Sequence, residues 1–271
     1  MPRPIRFNAF SMNAASHQSP GLWRHPRNTS VAFNRLSYWT DLARLLERGL
    51  FDALFIADVL GIYDVYQGGP EAALRGGVQV PVNDPLLLVP AMAGVTEHLG
   101  FGVTFSLTYE HPYPFARRMS TLDHLSNGRV GWNIVTGYLD SAARNLGLAR
   151  QLGHDQRYDL AEEYLQVLYK LWEKSWDDDA VLLERDSGRY IEPTRCTRST
   201  TWASTSRCRH APVSAVTATH AGAVPGRRFG TRPAVCRAPR RMRVHQRPNP
   251  YSVAPLRRWH SPGQRSRRAR S

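Results

Sequence analysis

The sequence predicts an α/β fold with a parallel sheet, and two patterns in its first 195 residues lead to this prediction. Short apolar runs of strand length alternate with longer segments of helical spacing, which is typical of βαβ units. The runs are nearly continuous in apolar residues, as in strands that are covered on both faces. Four such units make about half of an eight-stranded (β/α)8 barrel, which needs roughly 250 residues.

Four apolar runs are predicted as strands, and polar residues stand where they end. The runs are Ile5–Met12, Phe51–Ala57, Phe101–Ser106 and Val130–Val135. In a (β/α)8 barrel the chemistry lies at the carboxyl ends of the strands. An alternative is that strand ends are polar only because loops contact water. The polar residues at these ends are Asn13, His17, Asp58, Thr104, Ser106, Thr136 and Tyr138.

Helical spacing places helices between and after these strands. Trp39, Leu42, Leu45 and Leu46 are predicted to share one face of the first helix, and Gly49 is a natural stop after it. Pro85 suits the first turn of a helix because that turn needs no N–H from it. The predicted helices are Tyr38–Gly49, Leu86–Leu99, Pro114–Leu125, a short one near Ser141–Leu146, and Arg157–Glu173.

The formal charge of +14 is distributed unevenly along the 271 residues. Residues 196–271 hold 17 Arg and no Lys, Asp or Glu, whereas residues 1–195 hold the remaining 19 Lys and Arg against 22 Asp and Glu. All three cysteines also lie after residue 195, which excludes a disulfide framework before it. We therefore predict two regions, 1–195 and 196–271, rather than one uniformly basic nucleic-acid binder.

Several classes of protein and site are not expected from this sequence. It has no apolar run of 18 residues and no signal-peptide pattern, so we expect a cytoplasmic protein without a membrane span. His25, His111 and His124 lack carboxylates at metal-ligand spacing, so no metal is expected. No glycine-rich phosphate loop is present, so tight binding of a nicotinamide dinucleotide is not expected.

Four long segments carry a specific resemblance: FDALFIADVLGIYDVY, VQVPVNDPLLLVPAMAGVTEHLGFGVTFS, YEHPYPFARRMSTLDHLSNGRVGWNIVTGY and GHDQRYDLAEEYLQVLYKLWE. By these segments the chain resembles the bacterial-luciferase-like flavin monooxygenases, in the branch with nitrilotriacetate, dibenzothiophene-sulfone and long-chain alkane monooxygenases. The resemblance covers about residues 4–195 almost without gaps. It implies a TIM (β/α)8 barrel of the luciferase-like type, and we expect that only about the first half of this barrel is encoded in frame.

The resemblance also implies a reaction and its participants. Members of the family use reduced FMN, supplied by a separate NAD(P)H-dependent flavin reductase, and O2 to oxidise a small organic substrate. The cofactor carries the hard chemistry, and the protein orients it and excludes water. Intact members are expected to form homo-oligomers.

Site residues follow by position from the same resemblance. His17, Tyr63 and Tyr138 are the implied catalytic residues on the substrate side. A histidine there can donate a proton near neutral pH, although His17 can also be read as a solvated loop imidazole. The implied flavin contacts are Asp58, Thr104, Gly137, His154 and Tyr158.

His154 and Tyr158 stand four residues apart, so they share one helix face near a helix start that favours phosphate. The alternative for this pair is a helix-capping histidine and a core tyrosine. Two other positions depart from the alkane branch: Ala14 replaces a cysteine and Tyr138 replaces a histidine. These departures weigh against alkane hydroxylation and leave FMN binding and monooxygenation as the prediction.

The Arg-rich region 196–271 has three interpretations. It is a basic disordered arm that binds nucleic acid, a disordered linker, or the product of an out-of-frame reading. With freely chosen synonymous codons, residues 195–208 can be re-read in a shifted frame as the family's expected continuation. Residues 215–247 need the other shifted frame, so two frame changes are required, near 194–195 and 209–211. We expect such a chain to bind FMN poorly and to be inactive; a non-catalytic flavin-binding module is a further alternative.

Overall fold

A computed structural model describes residues 5–17, 19–197, 199–202 and 207–210. Among them, no helix is long and apolar enough to cross a membrane. Strands alternate with helices along most of this length, as the periodicity predicts. The elements are β1 Asn8–Met12, α1 Leu36–Arg48, β2 Ala53–Ala57, α2 Glu71–Gly76, α3 Val89–Ala93, β3 Gly100–Ser106, α4 Pro112–Leu125, β4 Val130–Val135, α5 Asp140–Asn145, α6 His154–Glu173, β5 Val181–Glu184, β6 Arg189–Ile191, β7 Ser199–Trp202 and β8 Arg207–His210.

The first four strands form one parallel sheet in the order β1-β2-β3-β4. Along one row of the sheet, Phe10 pairs with Phe55, Phe55 with Gly102, and Gly102 with Gly131. Each strand is followed by at least one helix before the next begins. The predicted α/β architecture with four parallel strands is therefore confirmed, and each strand lies within one or a few residues of its predicted bounds.

The core lies between one face of this sheet and the helices. Leu54, Ile56, Phe101 and Val103 from β2 and β3 are fully buried, in one cluster with side chains of α1, α4 and α6. Burying a side chain of this size contributes roughly 1.5–3 kcal/mol each. This packing fixes the positions of the strands, and thereby the edge at which they end.

The predicted helix Leu86–Leu99 is wrong in its second half. The chain makes a 3-10 turn and then α3, which ends at Ala93. The guanidinium of buried Arg129 donates to the carbonyl oxygens of Ala93, Thr96 and Leu99 at 2.9–3.0 Å. Because those carbonyls bond to a side chain 30 or more residues away, they do not serve a continuing helix.

Five elements were not predicted from the sequence, namely one helix and two pairs of strands. Helix α2 lies in the long connection after β2, and β5 and β6 form an antiparallel pair after α6. Strands β7 and β8 form a second antiparallel pair within the region 196–271, which the sequence predicts to be irregular. A hydrogen bond also joins the two predicted regions on either side of the boundary at residue 195: the N–H of Thr197 donates to the carbonyl oxygen of Ser175. Residues 211–271 lie outside the described residues, so the two-region division stays a prediction.

Candidate active site

The carboxyl ends of β1, β2, β3 and β4 meet along one edge of the parallel sheet. At this edge Asn13 follows β1 and Ser106 ends β3, and both side chains are buried. In the part of the chain that the structure describes, Asn13 Oδ1 and Ser106 Oγ have no hydrogen-bond partner. A buried polar atom left in this state costs about 1–3 kcal/mol. The edge is therefore suited to a ligand or water that hydrogen-bonds to them.

Asp58 directly follows β2 at this edge. The pKa of Asp58 is raised to about 6, chiefly by burial; a hydrogen bond from the Val59 backbone lowers it and the Asp84 carboxylate adds to the rise. A carboxyl group with this pKa is partly protonated near neutral pH, so it can either donate or accept a hydrogen bond. Asp84, which the sequence indicated only as a helix start, thus acts on the site electrostatically.

His17 lies in the loop after β1, and its ring packs edge-on against Phe10 with 4.6 Å between the ring centroids. Its Nδ1 is buried and has no hydrogen-bond partner in the described ranges. Burial lowers the pKa of His17 below its ordinary value. The imidazole is therefore neutral at pH 7 and not the fully solvated loop side chain of the alternative interpretation.

Thr104 near the end of β3 and Gly137 after β4 leave room for another group to come close to this edge of the sheet. Thr104 is buried, and the side-chain amide of Asn133 donates to its Oγ1 at 3.0 Å. Gly137 has φ of +68°, and a Cβ there would lie 3.4 Å from Ser106 Oγ and 3.5 Å from the Tyr109 ring. A side chain at this position would be strained in backbone conformation and would narrow the edge.

Tyr63 and Tyr138 meet although 75 residues separate them in the sequence. Their phenol oxygens are 2.5 Å apart and share a hydrogen bond, and their ring centroids are 6.4 Å apart. Tyr63 comes from the loop after β2 and Tyr138 from the segment after β4. Tyr138 remains 62% exposed, so the pair faces open space above the strand ends.

His154 and Tyr158 lie at the start of α6 with their ring centroids 4.8 Å apart. Gly153 is the residue that caps this helix, and its N–H donates to the Gln156 side chain at 3.1 Å. Tyr158 is 44% exposed and so is not a core residue. The geometry therefore differs from the alternative of a capping histidine and a buried tyrosine, and it leaves both side chains at a helix N-terminus.

The structure brings two pairs of predicted residues into contact, Tyr63 with Tyr138 and His154 with Tyr158. Gly137 lies beside Ser106 at the end of β3, whereas Asp58 and His17 each follow a different strand, β2 and β1. The start of α6 is connected to them by Gln151, whose side chain donates to the Tyr109 phenol and whose N–H donates to Asp140 at 2.8 Å.

Sequence reasoning missed Tyr109, Asp84, Gln151 and the ion pair of Glu110 with Arg118. Burial raises the pKa of Glu110, and Arg118 opposes that shift. No local spacing marks these residues, since Tyr109 and Gln151 are 42 positions apart. Within the described ranges, no three His, Cys, Asp or Glu side chains are grouped to hold a metal ion.

The sequence profile of the luciferase-like monooxygenases matches residues 9–210, well over half of the chain. The chain belongs to this family. It is 58% identical over 195 residues to the long-chain alkane monooxygenase of Geobacillus thermodenitrificans (strain NG80-2), covering 72% of this chain and 44% of that protein. It is 57% identical over 195 residues to the dimethyl-sulfide monooxygenase of Hyphomicrobium sulfonivorans, covering 72% and 41%.

Solved structures agree with this assignment. A crystal structure of long-chain alkane monooxygenase superposes with a TM-score of 0.75 at 52% identity, covering 79% of this chain and 52% of that one. A riboflavin lyase structure with a modified FMN and riboflavin superposes with a TM-score of 0.74 at 34% identity, covering 80% and 48%. This chain thus has the predicted luciferase-like α/β fold. The resemblance inferred from the four sequence segments is confirmed.

The chain spans less than half the length of the curated relatives it matches. This agrees with a sheet of four parallel strands where a complete (β/α)8 barrel has eight. The described strands thus make up part of the barrel.

Proposed function

We propose that this chain contains the amino-terminal half of an FMN-dependent monooxygenase that uses reduced FMN and O2 to oxidise a small organic substrate. The observation that carries the proposal is the edge of the sheet where Asn13, His17 and Ser106 keep buried polar atoms without partners among the described residues. A polar ring system placed there would satisfy these atoms, since a buried donor or acceptor needs a partner. The family membership and the modified FMN in a 34% identical structure support the same cofactor.

Five residues would hold the flavin in this proposal. Asp58 and Thr104 offer a partly protonated carboxyl group and a buried hydroxyl at the strand ends. Gly137 keeps that edge free of a side chain. His154 and Tyr158 stand at the N-terminus of the 20-residue α6, where backbone N–H groups attract a phosphate. When bound, reduced FMN would supply the two electrons that activate O2, and O2 would supply the oxidising equivalents and the oxygen atom that the substrate receives.

His17, Tyr63 and Tyr138 would act on the substrate side. The neutral imidazole of His17 can accept or hold a proton, and its Nδ1 is without a partner in the described ranges. One phenol of the pair Tyr63 and Tyr138 donates a hydrogen bond to the other, and the accepting phenol would donate its own hydrogen to a polar group of the substrate. Tyr138 in place of histidine argues for a substrate other than a long-chain alkane.

The proposed partners are O2, an organic substrate and a separate NAD(P)H-dependent flavin reductase. A relative 37% identical over 173 residues is named nitrilotriacetate monooxygenase component A, which agrees with a second protein component. We further propose a cytoplasmic location and, for intact members, a homo-oligomer.

For residues 196–271 we propose an out-of-frame reading, with frame changes near Arg195 and Arg209. Two relatives match 195 residues of this chain, 72% of its length, which supports a part of the chain with different sequence character. Because the proposed flavin site would lack its second half, we expect the chain as given to bind FMN poorly and to be inactive. Resequencing the coding DNA at both places tests the frame, and an uninterrupted gene would overturn this part.

Flavin binding tests the function. FMN is titrated into the chain as given and into a frame-restored full-length chain, with its Asp58→Ala and Asp159→Ala variants; Asp159 is exposed on α6. We expect the frame-restored chain and its Asp159→Ala variant to bind FMN and to consume O2 with a flavin reductase. We expect the Asp58→Ala variant to bind at least about tenfold more weakly, equal to a loss of about 1.4 kcal/mol.

Two results would count against these proposals. A frame-restored chain that binds no FMN would overturn the proposed function. A frame-restored chain that binds FMN but does not oxidise reduced flavin would favour the alternative of a non-catalytic flavin-binding module. Stoichiometric FMN binding and flavin-reductase-coupled O2 consumption by the chain as given would overturn its expected inactivity. Tight, steeply salt-dependent binding of nucleic acid by the Arg-rich region would favour the basic-arm alternative.

A further inference from the structure

The loop after β2 is hydrogen-bonded to helix α5, which follows β4. Strands β2 and β4 are separated by β3 in the sheet, so this contact joins segments that follow two strands that are not neighbours. We call the contact between residues 60–64 and α5 the clasp. Its members come from two segments that are about 80 residues apart in the sequence.

Two side chains of α5 hold the backbone of the loop. Ser141 Oγ donates to the carbonyl oxygen of Ile62 at 2.6 Å, and Asn145 Nδ2 donates to the carbonyl oxygen of Leu60 at 3.1 Å. These residues stand four positions apart, so both lie on the same face of α5. The loop therefore has its carbonyls bonded on both sides of Gly61.

Gly61 lets the loop come into contact with the helix backbone. A Cβ at this position would lie 2.5 Å from both the backbone nitrogen of Ala142 and Ser141 Oγ. Real Cβ atoms do not approach that closely, so any larger residue must push the loop and helix apart. Glycine here is required by the clasp and not by its backbone angle, since Gly61 is not among the glycines with positive φ.

An ion pair closes the clasp on the far side of Tyr63. Nη2 of Arg144 in α5 lies 2.5 Å from Oδ2 of Asp64 in the loop, and the two side chains are 51% and 23% exposed. An ion pair of this exposure is weak by itself. Together with the hydrogen bonds at Leu60 and Ile62, however, it fixes the loop immediately before and after Tyr63.

We propose that α5 is a positioning element, and that the clasp sets Tyr63 against Tyr138. Tyr138 stands two residues before α5, so the same helix that holds the loop also carries the partner phenol. Gly61, Asp64, Ser141 and Arg144 are positioning residues, because none of them belongs to the phenol pair. The value of the pair for substrate binding rests on the proposed function, whereas its geometry does not.

Oxidative cross-linking of the two tyrosines measures this geometry without any flavin. The full chain is photo-oxidised with a ruthenium complex and persulfate, and the Tyr63–Tyr138 dityrosine peptide is quantified by mass spectrometry. The variants are Gly61→Ala, Ser141→Ala and Arg144→Ala, with Arg144→Lys as the conservative replacement. Arg150→Ala is the matched control, because Arg150 is an exposed arginine just beyond α5.

We expect the unaltered chain and the Arg150→Ala variant to give equal yields of the cross-link. The yield should fall about fivefold in Gly61→Ala and about twofold in Arg144→Ala, since an exposed ion pair is worth little alone. Arg144→Lys should restore most of it. Thermal midpoints within about 2 °C of the unaltered chain would show that the rest of the fold is retained.

The proposal is overturned if the unaltered chain forms no Tyr63–Tyr138 cross-link, or if Gly61→Ala leaves its yield unchanged. Failure of FMN binding would count against the proposed function alone, because the cross-link is measured in the absence of flavin. The two proposals can therefore fail separately.

Discussion

At the scale of single residues, the site depends on groups whose protonation the fold alters. Asp58 has its pKa raised to about 6 by burial, and burial lowers the pKa of His17. Both shifts favour the neutral form of the side chain. A partly protonated carboxyl group and a neutral imidazole suit a site that must exclude water around a reacting cofactor.

Asp58 should make stability fall as the pH rises from about 4 to about 6. Its pKa is higher in the folded chain than in the unfolded one, so the folded state binds more protons in this window and loses that advantage above it. We expect Asp58→Asn to flatten this part of the profile and to stabilise the protein at pH 7 by about 1–2 kcal/mol. Urea unfolding at several pH values measures it.

Asp159→Asn is the control for this measurement, because Asp159 is exposed on α6 and should keep the pH profile of the unaltered chain. If Asp58→Asn shows the same slope between pH 4 and pH 6 as the unaltered chain, the raised pKa of Asp58 is wrong.

At the scale of elements, Arg129 connects pieces that the sequence keeps apart. It lies just before β4 and donates to the end of α3, to Thr96 and Leu99 ahead of β3, and to Ser126 at the end of α4. One buried side chain thus bonds to the end of α3, to the segment before β3 and to the end of α4. It also ends the helix that the apolar periodicity of residues 86–99 predicted to continue.

Arg129→Ala should destabilise the fold by about 2–4 kcal/mol, because it leaves several buried carbonyl groups without donors. Arg129→Lys should recover only part of this, since an ammonium group cannot reach the same acceptors. Urea midpoints measure both variants. Arg117→Ala, at an exposed arginine of α4, should stay within about 0.5 kcal/mol of the unaltered chain. A similar effect at both positions would contradict the role of Arg129.

At the scale of the whole molecule, the sheet is covered unevenly. The inner strand β3 is almost wholly buried, whereas every residue of β4 is only partly buried and Phe10 of β1 is 48% exposed. Within the described ranges, β1 and β4 each pair with a strand on one side only. A parallel strand with an open edge is a template for pairing with another chain.

We therefore expect the chain to self-associate as its concentration rises, which sedimentation velocity measures. The frame-restored chain is the control, since pairing within a complete barrel would remove both edges. A chain that stays monomeric across the concentration range would show that both edges are already covered.

The sequence by itself determined the four parallel strands, most of the helices between them and the family. Apolar periodicity and long matching segments are local properties, so they can be read without the fold. It also indicated Asp58 and Thr104 at strand ends, since parallel strands end at one edge. Only the tertiary structure decided that Tyr63 meets Tyr138, that Arg129 ends α3, and that burial raises the pKa of Asp58. Each of these depends on contacts between residues far apart in the chain or on the loss of water, and neither leaves a pattern in the local spacing of residues.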